Sequence, residues 1–478
     1  MEGRTRGQWS SSAGLVLAAT GSAIGLGNLW KFPYITWENG GGSFVLVYLA
    51  CILAVGLPVM LAELLIGRRY QTSAVGALKK AAGPAWGLLG AWGVLAAFVL
   101  LSYYTVIAGW SLFYFVKSAG WSIAGYPGEG TATGLFNEQA LNLPLQLALS
   151  LGFSVATVAV VYFGVTKGIE RVARIFLPVL MGILVLMLIS ALQMDGAGEA
   201  LAFIFRPGPI ETGAVLEAVG HSFFTLSLGM GAMITYGSYI SKKESAVSAS
   251  GAIVLLDTLI ALFATVIMFS VIFSVAGLRD EVGASSVGML FISLPEIFFT
   301  QVPFGRFLGP LFYVLVALAA LTSTISLLEV VTAFLIDERK VARPKATVGA
   351  GLAIFVFSGI AVFSLPGLLG EEVEGPLSGV AGFFSSIKVP FFGGPEDKVG
   401  WFANADHFVS NWMLPLGGLL IAVVAGWIMA RKDTAAELMD GTEPQWFRYR
   451  VWRIFIRFVA PAAILAIIIA VISGQDFS

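Results

Sequence analysis

Long apolar segments alternate with short polar segments along the whole chain. A helix needs about 20 apolar residues to cross the hydrocarbon core of a bilayer. The polar segments are rich in Gly, Pro, Ser and charged residues, and they are too short to form a separate soluble domain. The pattern predicts eleven spans, numbered in chain order: 11–37, 42–67, 87–117, 142–163, 171–193, 214–240, 247–277, 304–336, 346–366, 406–430 and 449–473.

Two of these spans contain glycines that interrupt the helix. The sequence GLG at 25–27 lies in span 1, and GMG at 229–231 lies in span 6, five spans later. Because five is odd, the second unit must cross the membrane in the inverted direction, an arrangement typical of transporters with a central site at broken helices. This predicts a first five-helix repeat over 11–193, an inverted second repeat over 214–430, and a separate span 11 over 449–473. Alternatively, glycine only allows neighbouring helices to pack closely.

The composition indicates a polytopic membrane protein with the lipid bilayer as its surroundings. Hydrophobic residues make up 57% of the chain, charged residues make up 12%, and the mean hydropathy is +0.87. A formal net charge of -1 gives no sign of a nucleic-acid partner. Most of the 28 Lys and Arg residues lie on one side of the predicted spans. The positive-inside rule therefore predicts a cytosolic tail over 1–10 and an external Ser478.

Interrupted helices expose backbone groups that lipid cannot satisfy, so they persist only around a cavity that holds something polar. The freed NH groups at the start of a half-helix favour an anion such as a carboxylate. The freed carbonyl groups favour an ammonium group or Na⁺. The two breaks therefore predict a site for a zwitterionic amino acid with co-bound Na⁺.

Neutral oxygen donors lie beside both interruptions. Ser22 and Asn28 flank the first, Thr225 and Ser227 flank the second, and span 8 adds the sequence TST at 322–324. These groups are suited to a hard cation or a zwitterion. Hydroxyl groups in membrane helices also commonly bond the carbonyl four residues earlier, so a purely structural role stays open for each.

Span 7 contains an intramembrane carboxylate. Asp257 lies in the middle of SGAIVLLDTLIALFA, where an ionisable group is costly and marks function by default. It is predicted to bind a cation or to supply a fixed negative charge; the alternative is a structural hydrogen bond to a neighbouring helix. Glu63 and Glu329 lie nearer the cytosolic ends of their spans, and for them we predict gating or structural roles.

Six motifs together resemble one family over nearly the whole chain. The chain is similar to the neurotransmitter:sodium symporters, in their bacterial eleven-helix branch of amino-acid transporters. The resemblance implies an all-α membrane protein with a LeuT-type fold: two inverted five-helix repeats with broken helices 1 and 6, plus an eleventh helix. It also implies Na⁺-driven alternating access in a bacterial or archaeal cell membrane. The motifs are GSAIGLGNLWKFPY, ENGGGSFVLVY, VTKGIERVARIFLPVL, FFTLSLGMGAMITYGSY, ALTSTISL and SNWMLPLGGL.

The resemblance implies two sodium sites and no organic cofactor. The first, beside the substrate, would use the Ala23 carbonyl, Asn28, Thr225 and Asp257. The second would use the carbonyls of Gly21, Ile24 and Ala319, with Thr322 and Ser323.

The same resemblance implies a substrate site between spans 1, 3, 6 and 8. The NH groups of Leu26 and Gly27 and the Tyr104 hydroxyl would hold the carboxylate. The carbonyls of Ala23, Phe224, Thr225 and Ser227 would hold the amino group. The implied substrate-binding set is Ala23, Leu26, Gly27, Leu100, Tyr104, Phe224, Thr225, Ser227, Met230, Ser323 and Leu327.

Gates on both sides of the site also follow from the resemblance. Lys31 and Asp406 would form the outer ion pair over the Phe224 ring. The family usually has Arg at the outer basic position, and Lys cannot make the bidentate fork, so we expect a looser or water-mediated pair. Arg6, Tyr239 and Asp337 would close the inner side.

Two departures from the family pattern concern ion coupling. Chloride-dependent members have Asn on span 7 and Ser four residues later; here the corresponding residues are Asp257 and Ala261. We therefore predict chloride independence, with Asp257 supplying the negative charge. His221 replaces the usual Gln, and a His221 and Asp257 pair is a candidate for proton countertransport; the alternative is a neutral hydrogen-bonding His221.

The implied partner is a small amino acid with a hydrophobic or aromatic side chain, and the implied oligomeric state is a monomer or weak homodimer. Met230 suits a pocket that adapts to several apolar side chains. An enzyme is not supported, since the chain has two His, one Cys and no HExxH or GxSxG motif. The alternative function is an H⁺-coupled amino-acid transporter of the same fold with a different substrate range.

Overall fold

The computed structural model describes residues 7–210, 212–275, 288–369, 376–387, 399–438 and 446–477. Within these ranges the protein is built from α-helices, and no β-strand occurs. Nine continuous helices of the described residues are long and apolar enough to cross a membrane. They correspond to spans 2 to 5 and 7 to 11: Gly42–Tyr70, Pro84–Ala124, Leu143–Tyr162, Val165–Ala191, Ala246–Ser274, Gly305–Arg339, Arg343–Phe363, Trp401–Ile428 and Arg448–Ile472.

Spans 1 and 6 are broken, as their sequences predict. Span 1 consists of Ser12–Ala23 and Gly27–Glu38, which meet at an angle of 56°. Span 6 consists of Thr212–Thr225 and Ala232–Gly237, separated by a non-helical stretch. Neither half of either span is long enough to cross the hydrocarbon core alone. All eleven predicted spans therefore correspond to helical segments, and the all-α prediction is confirmed.

The spans differ in how much of each lies inside the molecule. In the most apolar window of span 8, 72% of residues are buried, whereas the value is 33% for spans 4, 5 and 11. Residues on these outer spans expose large apolar side chains, such as Val155, Ile175 and Ile469. Spans 4, 5 and 11 therefore form the periphery, with apolar surface suited to lipid, and span 8 lies at the centre.

Hydroxyl groups connect the helices in the interior. The Ser150 hydroxyl on span 4 donates to the Ser358 hydroxyl on span 9 at 2.9 Å, and Thr157 contacts Thr324 on span 8 at 2.8 Å. Such contacts stabilise helix pairs in an apolar medium, where hydrophobic burial discriminates weakly between helices.

Short helices cover both ends of the spans. We call the outer side the one where span 1 ends, at Glu38, and the inner side the one where it begins, at Ser12. The short helices of the described residues are Ala74–Ala82, Thr131–Leu141, Ala197–Phe205, Met289–Thr300, Leu365–Leu369, Ser378–Ser385 and Arg431–Leu438.

Candidate functional site

The break in span 1 is held by two side chains. Ile24 is extended, with φ -73° and ψ 109°, so the NH groups that follow lose their helical partners. The Gly25 NH donates to Asn28 Oδ1 at 3.1 Å, and the Leu26 NH donates to the Tyr104 hydroxyl at 3.1 Å. These bonds satisfy the buried backbone groups that unwinding exposes.

Close packing explains why glycine follows Ile24. A Cβ atom at Gly25 would lie 2.8 Å from Ser323 Oγ and 3.0 Å from Tyr104 Oη. Both distances are shorter than a normal contact. Glycine therefore allows spans 3 and 8 to place hydroxyl groups directly against the unwound backbone.

The break in span 6 depends on backbone conformation. Ser227, Gly229 and Gly231 all have positive φ, at 53°, 78° and 75°, a region that costs little only for glycine. The Gly229 NH donates to Glu63 Oε1 at 2.7 Å. Glu63, predicted to have a gating or structural role, thus contacts the second break directly from span 2.

A cavity lies between the two breaks, with spans 3 and 8 opposite them. All eleven residues that we predicted around a substrate line it, together with Ser22 and Gly25. Leu100, Met230 and Leu327 make one part apolar, while hydroxyl and backbone groups make the other part polar. None of the lining residues carries a formal charge. This lining is suited to a small molecule with one polar end and one uncharged apolar end.

Asp257 joins the two breaks beside the cavity. Its Oδ1 accepts from Asn28 Nδ2 at 2.7 Å and from the Thr225 hydroxyl at 3.0 Å. The Asp257 side chain is fully buried, and the ion pairs found between described residues do not include it. A buried carboxylate surrounded by neutral oxygen-bearing groups is suited to a cation such as Na⁺.

The predicted second sodium site lies where span 1 packs on span 8. The Ser323 hydroxyl donates to the Ile24 carbonyl at 3.1 Å, and the Thr322 hydroxyl donates to the Ala319 carbonyl at 2.9 Å. A Cβ atom at Gly21 would lie 3.1 Å from Thr322 Cβ. All five predicted residues therefore lie together, and their groups are oxygen donors of the kind that Na⁺ prefers.

On the outer side, the predicted gate residues contact other partners. Lys31 Nζ lies 5.2 Å from the centre of the Phe224 ring and donates to the Phe477 carbonyl at 3.0 Å. Asp406 Oδ1 accepts from the Tyr103 hydroxyl at 2.9 Å. The ion pairs within 4.0 Å between described residues do not include a Lys31–Asp406 pair. No direct pair is formed between them in this conformation, and the looser or water-mediated pair expected from Lys at this position stays a prediction.

On the inner side, Asp337 and Tyr239 contact different groups among the described residues, and Arg6 lies outside the described residues. Asp337 Oδ2 accepts from the Ser73 NH at 2.6 Å, just before the helix Ala74–Ala82. The Tyr239 hydroxyl donates to Glu329 Oε1 at 2.5 Å. Tyr239 and Asp337 thus both lie at the inner side, with different partners.

The sequence reasoning missed two residues of this inner side. Arg343 makes a bidentate contact with Glu329, at 2.7 and 2.8 Å, and so extends the Tyr239 cluster to span 9. The Trp9 ring packs against Tyr236 and Tyr239, and its indole NH donates to the Tyr236 carbonyl at 3.0 Å. The sequence contained a signal for each: Trp9 is an aromatic residue just before span 1, and Arg343 is a basic residue at the start of span 9.

His221 is buried among aromatic rings. Its ring centre lies 5.5 Å from that of Phe32 and 5.7 Å from that of Tyr48. Within the described residues neither ring nitrogen has a hydrogen-bond partner. The predicted pair with Asp257 is thus not a direct hydrogen bond, because the partners of the Asp257 carboxylate are Asn28 and Thr225.

Comparisons with known proteins identify a family and related transporters. The model of a family described as "Sodium:neurotransmitter symporter family" matches residues 6–125 and 137–372. An uncharacterised sodium-dependent transporter, YhdH of Bacillus subtilis, is 36% identical over 475 residues, covering 98% of each chain. The bovine sodium-dependent neutral amino acid transporter B(0)AT2 is 29% identical over 309 residues, covering 58% of this chain and 41% of the relative.

A solved structure matches over almost the entire chain. The crystal structure of MhsT in complex with L-phenylalanine has a TM-score of 0.84 and 38% sequence identity. The match covers 98% of this chain and 100% of MhsT. The predicted LeuT-type fold is confirmed by this similarity, because it extends over all spans.

Proposed function

The chain belongs to the sodium:neurotransmitter symporter family, and from this premise we propose that it imports hydrophobic and aromatic L-amino acids, driven by Na⁺, through alternating access. Family membership and the nine long apolar helices of the described residues make it a multi-pass membrane transporter. The substrate, the two sodium sites, the chloride independence and the orientation, with residues 1–10 in the cytosol, are our proposals.

The uncharged lining of the central cavity supports the substrate class most directly. The Tyr104 hydroxyl and the unwound backbone at Leu26 form a polar end, and Leu100, Met230 and Leu327 form an apolar end. A charged substrate side chain would be buried there without a partner, which is costly. The relative MhsT was solved with L-phenylalanine, an amino acid of the proposed class.

Asp257 supports the proposed ion coupling. Its buried carboxylate requires a nearby positive charge or a proton, and it lies against the Asn28 and Thr225 side chains. Bound Na⁺ would neutralise it and draw both broken helices together. Because this negative charge is part of the chain, we propose that chloride is not required.

Proton countertransport through His221 and Asp257 stays a prediction, and no hydrogen bond joins the two side chains directly. Uptake into proteoliposomes with a Na⁺ gradient and an imposed pH gradient tests it. If the rate does not change with the pH gradient, proton countertransport is wrong. Uptake that persists with a pH gradient after Na⁺ is replaced by K⁺ would instead favour the H⁺-coupled alternative.

The main test is amino-acid binding to the purified protein. All twenty amino acids are compared in Na⁺ and in K⁺, each with chloride or gluconate. We expect hydrophobic and aromatic amino acids to bind only in Na⁺, with the same affinity in both anions. Binding that is unchanged in K⁺ would contradict both sodium sites.

A double variant tests the charge role of Asp257 separately. Asp257→Asn with Ala261→Ser restores the residue types that chloride-dependent relatives have at these positions. We expect amino-acid binding by this variant to be about tenfold stronger in chloride than in gluconate, because a bound anion replaces the lost carboxylate. Ala261→Ser alone is the control and should bind equally in both. Equal binding by the double variant would contradict the charge-balance argument.

A further inference from the structure

The segment after span 11 folds back over the outer end of the cavity. We call residues 474–477 the strap. Gly474 has a φ of 94° and ends the helix, and the Gln475 NH donates to the Ala470 carbonyl at 3.0 Å. This left-handed glycine reverses the chain direction directly after the last helical turn. The strap therefore turns back toward the protein.

Span 10 provides a specific docking site for the strap. Asn411 uses both ends of its amide: Nδ2 donates to Asp476 Oδ1 at 2.6 Å, and Oδ1 accepts from the Phe477 NH at 2.9 Å. His407 Nδ1 lies 2.9 Å from Asp476 Oδ1. His407 and Asn411 are both buried. Three polar contacts to two buried side chains fix the position of the strap on span 10.

The far end of the strap reaches the opposite wall of the cavity. The Phe477 carbonyl accepts from Lys31 Nζ at 3.0 Å, and Lys31 Nζ lies 5.2 Å from the centre of the Phe224 ring. A Cβ atom at Gly220, on span 6, would lie 3.7 Å from Phe477 Cβ. The strap, the Lys31 ammonium group and the Phe224 ring are thus stacked above the cavity that Phe224 lines.

The two walls that the strap connects must separate when the cavity opens outward. Spans 1 and 6 form one wall. Span 10 belongs to the other, because the Tyr103 hydroxyl on span 3 donates to Asp406 at 2.9 Å and the Tyr103 ring packs on Phe402 at 5.2 Å. A bridge between these walls opposes opening.

We propose that the strap is an additional element of the outer gate. It remains docked on Asn411 and His407, and it must release Lys31 and the surface at Gly220 before an amino acid can enter. The inference rests on the proposed alternating access of the central cavity. It also accounts for Asn411, a residue of the motif SNWMLPLGGL to which the resemblance assigned no role.

The first experiment measures how accessible the outer end of the cavity is to solvent. The reporter is Ser410→Cys on span 10, whose native hydroxyl lies 3.4 Å from Asp406 Oδ1, in a chain where the single native cysteine is removed by Cys51→Ala. The rate of labelling by a membrane-impermeant thiol reagent is measured in Na⁺, with and without saturating L-phenylalanine. A chain that stops after Ser473 is compared with the full chain.

We expect L-phenylalanine to slow labelling of the full chain. In L-phenylalanine, the chain without the strap should be labelled about threefold faster than the full chain or more, because removal of the strap shifts the population toward outward-open states. Gln475→Ala, an exposed position in the strap, is the matched control and should label like the full chain. Equal rates for the truncated and full chains would overturn the strap proposal alone. If L-phenylalanine has no effect on the full chain, the proposed function fails as well.

A second experiment does not depend on truncation. Gly220→Cys and Phe477→Cys, combined with Cys51→Ala, place two Cβ atoms at a separation suited to a disulfide. Oxidation would tie the strap to span 6. We expect the oxidised protein to lose Na⁺-driven uptake and to regain it on reduction. Uptake by each single-cysteine variant should change with neither treatment. Undiminished uptake by the fully crosslinked protein would contradict the proposal.

Discussion

The two helix breaks have the same position in the proposed repeats, but different physical causes maintain them. At the first break, side chains of Asn28 and Tyr104 satisfy the freed NH groups of Gly25 and Leu26. At the second break, three residues with positive φ set the chain path, and Glu63 accepts from Gly229.

This difference indicates which break responds to a ligand. The partners at the first break include residues of the cavity and of the proposed sodium site, so binding can change them directly. At the second break the backbone conformation itself is unusual, and it requires particular residues whether or not a ligand is bound. We therefore expect substitutions at the first break to impair binding, and substitutions at the second to impair folding as well.

Removing the side chain that joins the breaks should have the largest effect. Asp257→Ala leaves Asn28 and Thr225 without their common partner and removes the proposed sodium ligand. Because a buried donor left without its partner costs about 1–3 kcal/mol and a proposed Na⁺ ligand is lost as well, we expect Na⁺-dependent amino-acid binding to weaken by about 100-fold or more. Binding isotherms across a Na⁺ series provide the measurement.

Thr265→Ala is the control for Asp257→Ala. Thr265 is buried on the same span, and its hydroxyl donates to the Ala261 carbonyl of its own helix at 2.7 Å. This change should leave the Na⁺ dependence intact. An Asp257→Ala protein with normal Na⁺-dependent binding would show that the carboxylate is not part of the coupling.

Alanine at one glycine of each break separates binding from folding. At Gly229 a Cβ atom would lie 2.3 Å from the Leu414 carbonyl oxygen, and the φ of 78° is unfavourable for alanine. We expect Gly229→Ala to destabilise the fold by about 2–4 kcal/mol, from backbone strain and overpacking. The midpoint of thermal unfolding in detergent should fall.

Gly25→Ala is the matched substitution at the first break. Its Cβ atom would meet the ends of two side chains, Ser323 and Tyr104, which can shift. We expect a nearly normal unfolding midpoint with at least about tenfold weaker amino-acid binding. If the two variants lose stability equally, the physical distinction between the breaks is wrong.

Removing the Tyr104 hydroxyl should have the next largest effect on amino-acid binding. Tyr104→Phe leaves the buried Leu26 NH without its partner and removes a proposed contact to the substrate carboxylate. A buried unsatisfied donor costs about 1–3 kcal/mol, so we expect amino-acid affinity to fall by about 10- to 100-fold. Tyr103→Phe, which removes the hydroxyl of a neighbouring ring, is the control for the substrate contact and should affect affinity less. Equal affinities of Tyr104→Phe and the unaltered protein would exclude this contact.

The smallest effect concerns the apolar end of the cavity. Met230→Leu conserves volume and polarity but reduces flexibility. We expect the ratio of phenylalanine to leucine affinity to change by less than about tenfold, without a change in Na⁺ dependence. Competition binding measures that ratio. A loss of Na⁺ dependence in this variant would show that Met230 acts on the ion sites as well.

The fold was largely predictable, whereas partners at the gates were not. Lys31 was expected to face Asp406, but in this structure it donates to the Phe477 carbonyl, 446 residues further along the chain. No pattern in a window of 20 residues connects such positions. The resemblance assigned roles only to positions that match the family's motifs. It therefore could not indicate a contact made by the strap, which lies outside those motifs. Arg343 is only 14 residues from its partner Glu329, but it was missed because the two residues lie on consecutive spans and meet only through helix packing.

The sequence by itself determined the eleven spans, the two breaks and the intramembrane carboxylate. These features depend on local quantities: the length of an apolar run, the conformational range of glycine, and the cost of a charge in lipid. Tertiary structure decided which groups accept hydrogen bonds from the backbone NH groups at the two breaks. It also decided how Asp257 joins Asn28 to Thr225 and where the strap lies. Those outcomes depend on helix packing, which brings together side chains that are distant in the sequence and selects one partner among several of suitable chemistry.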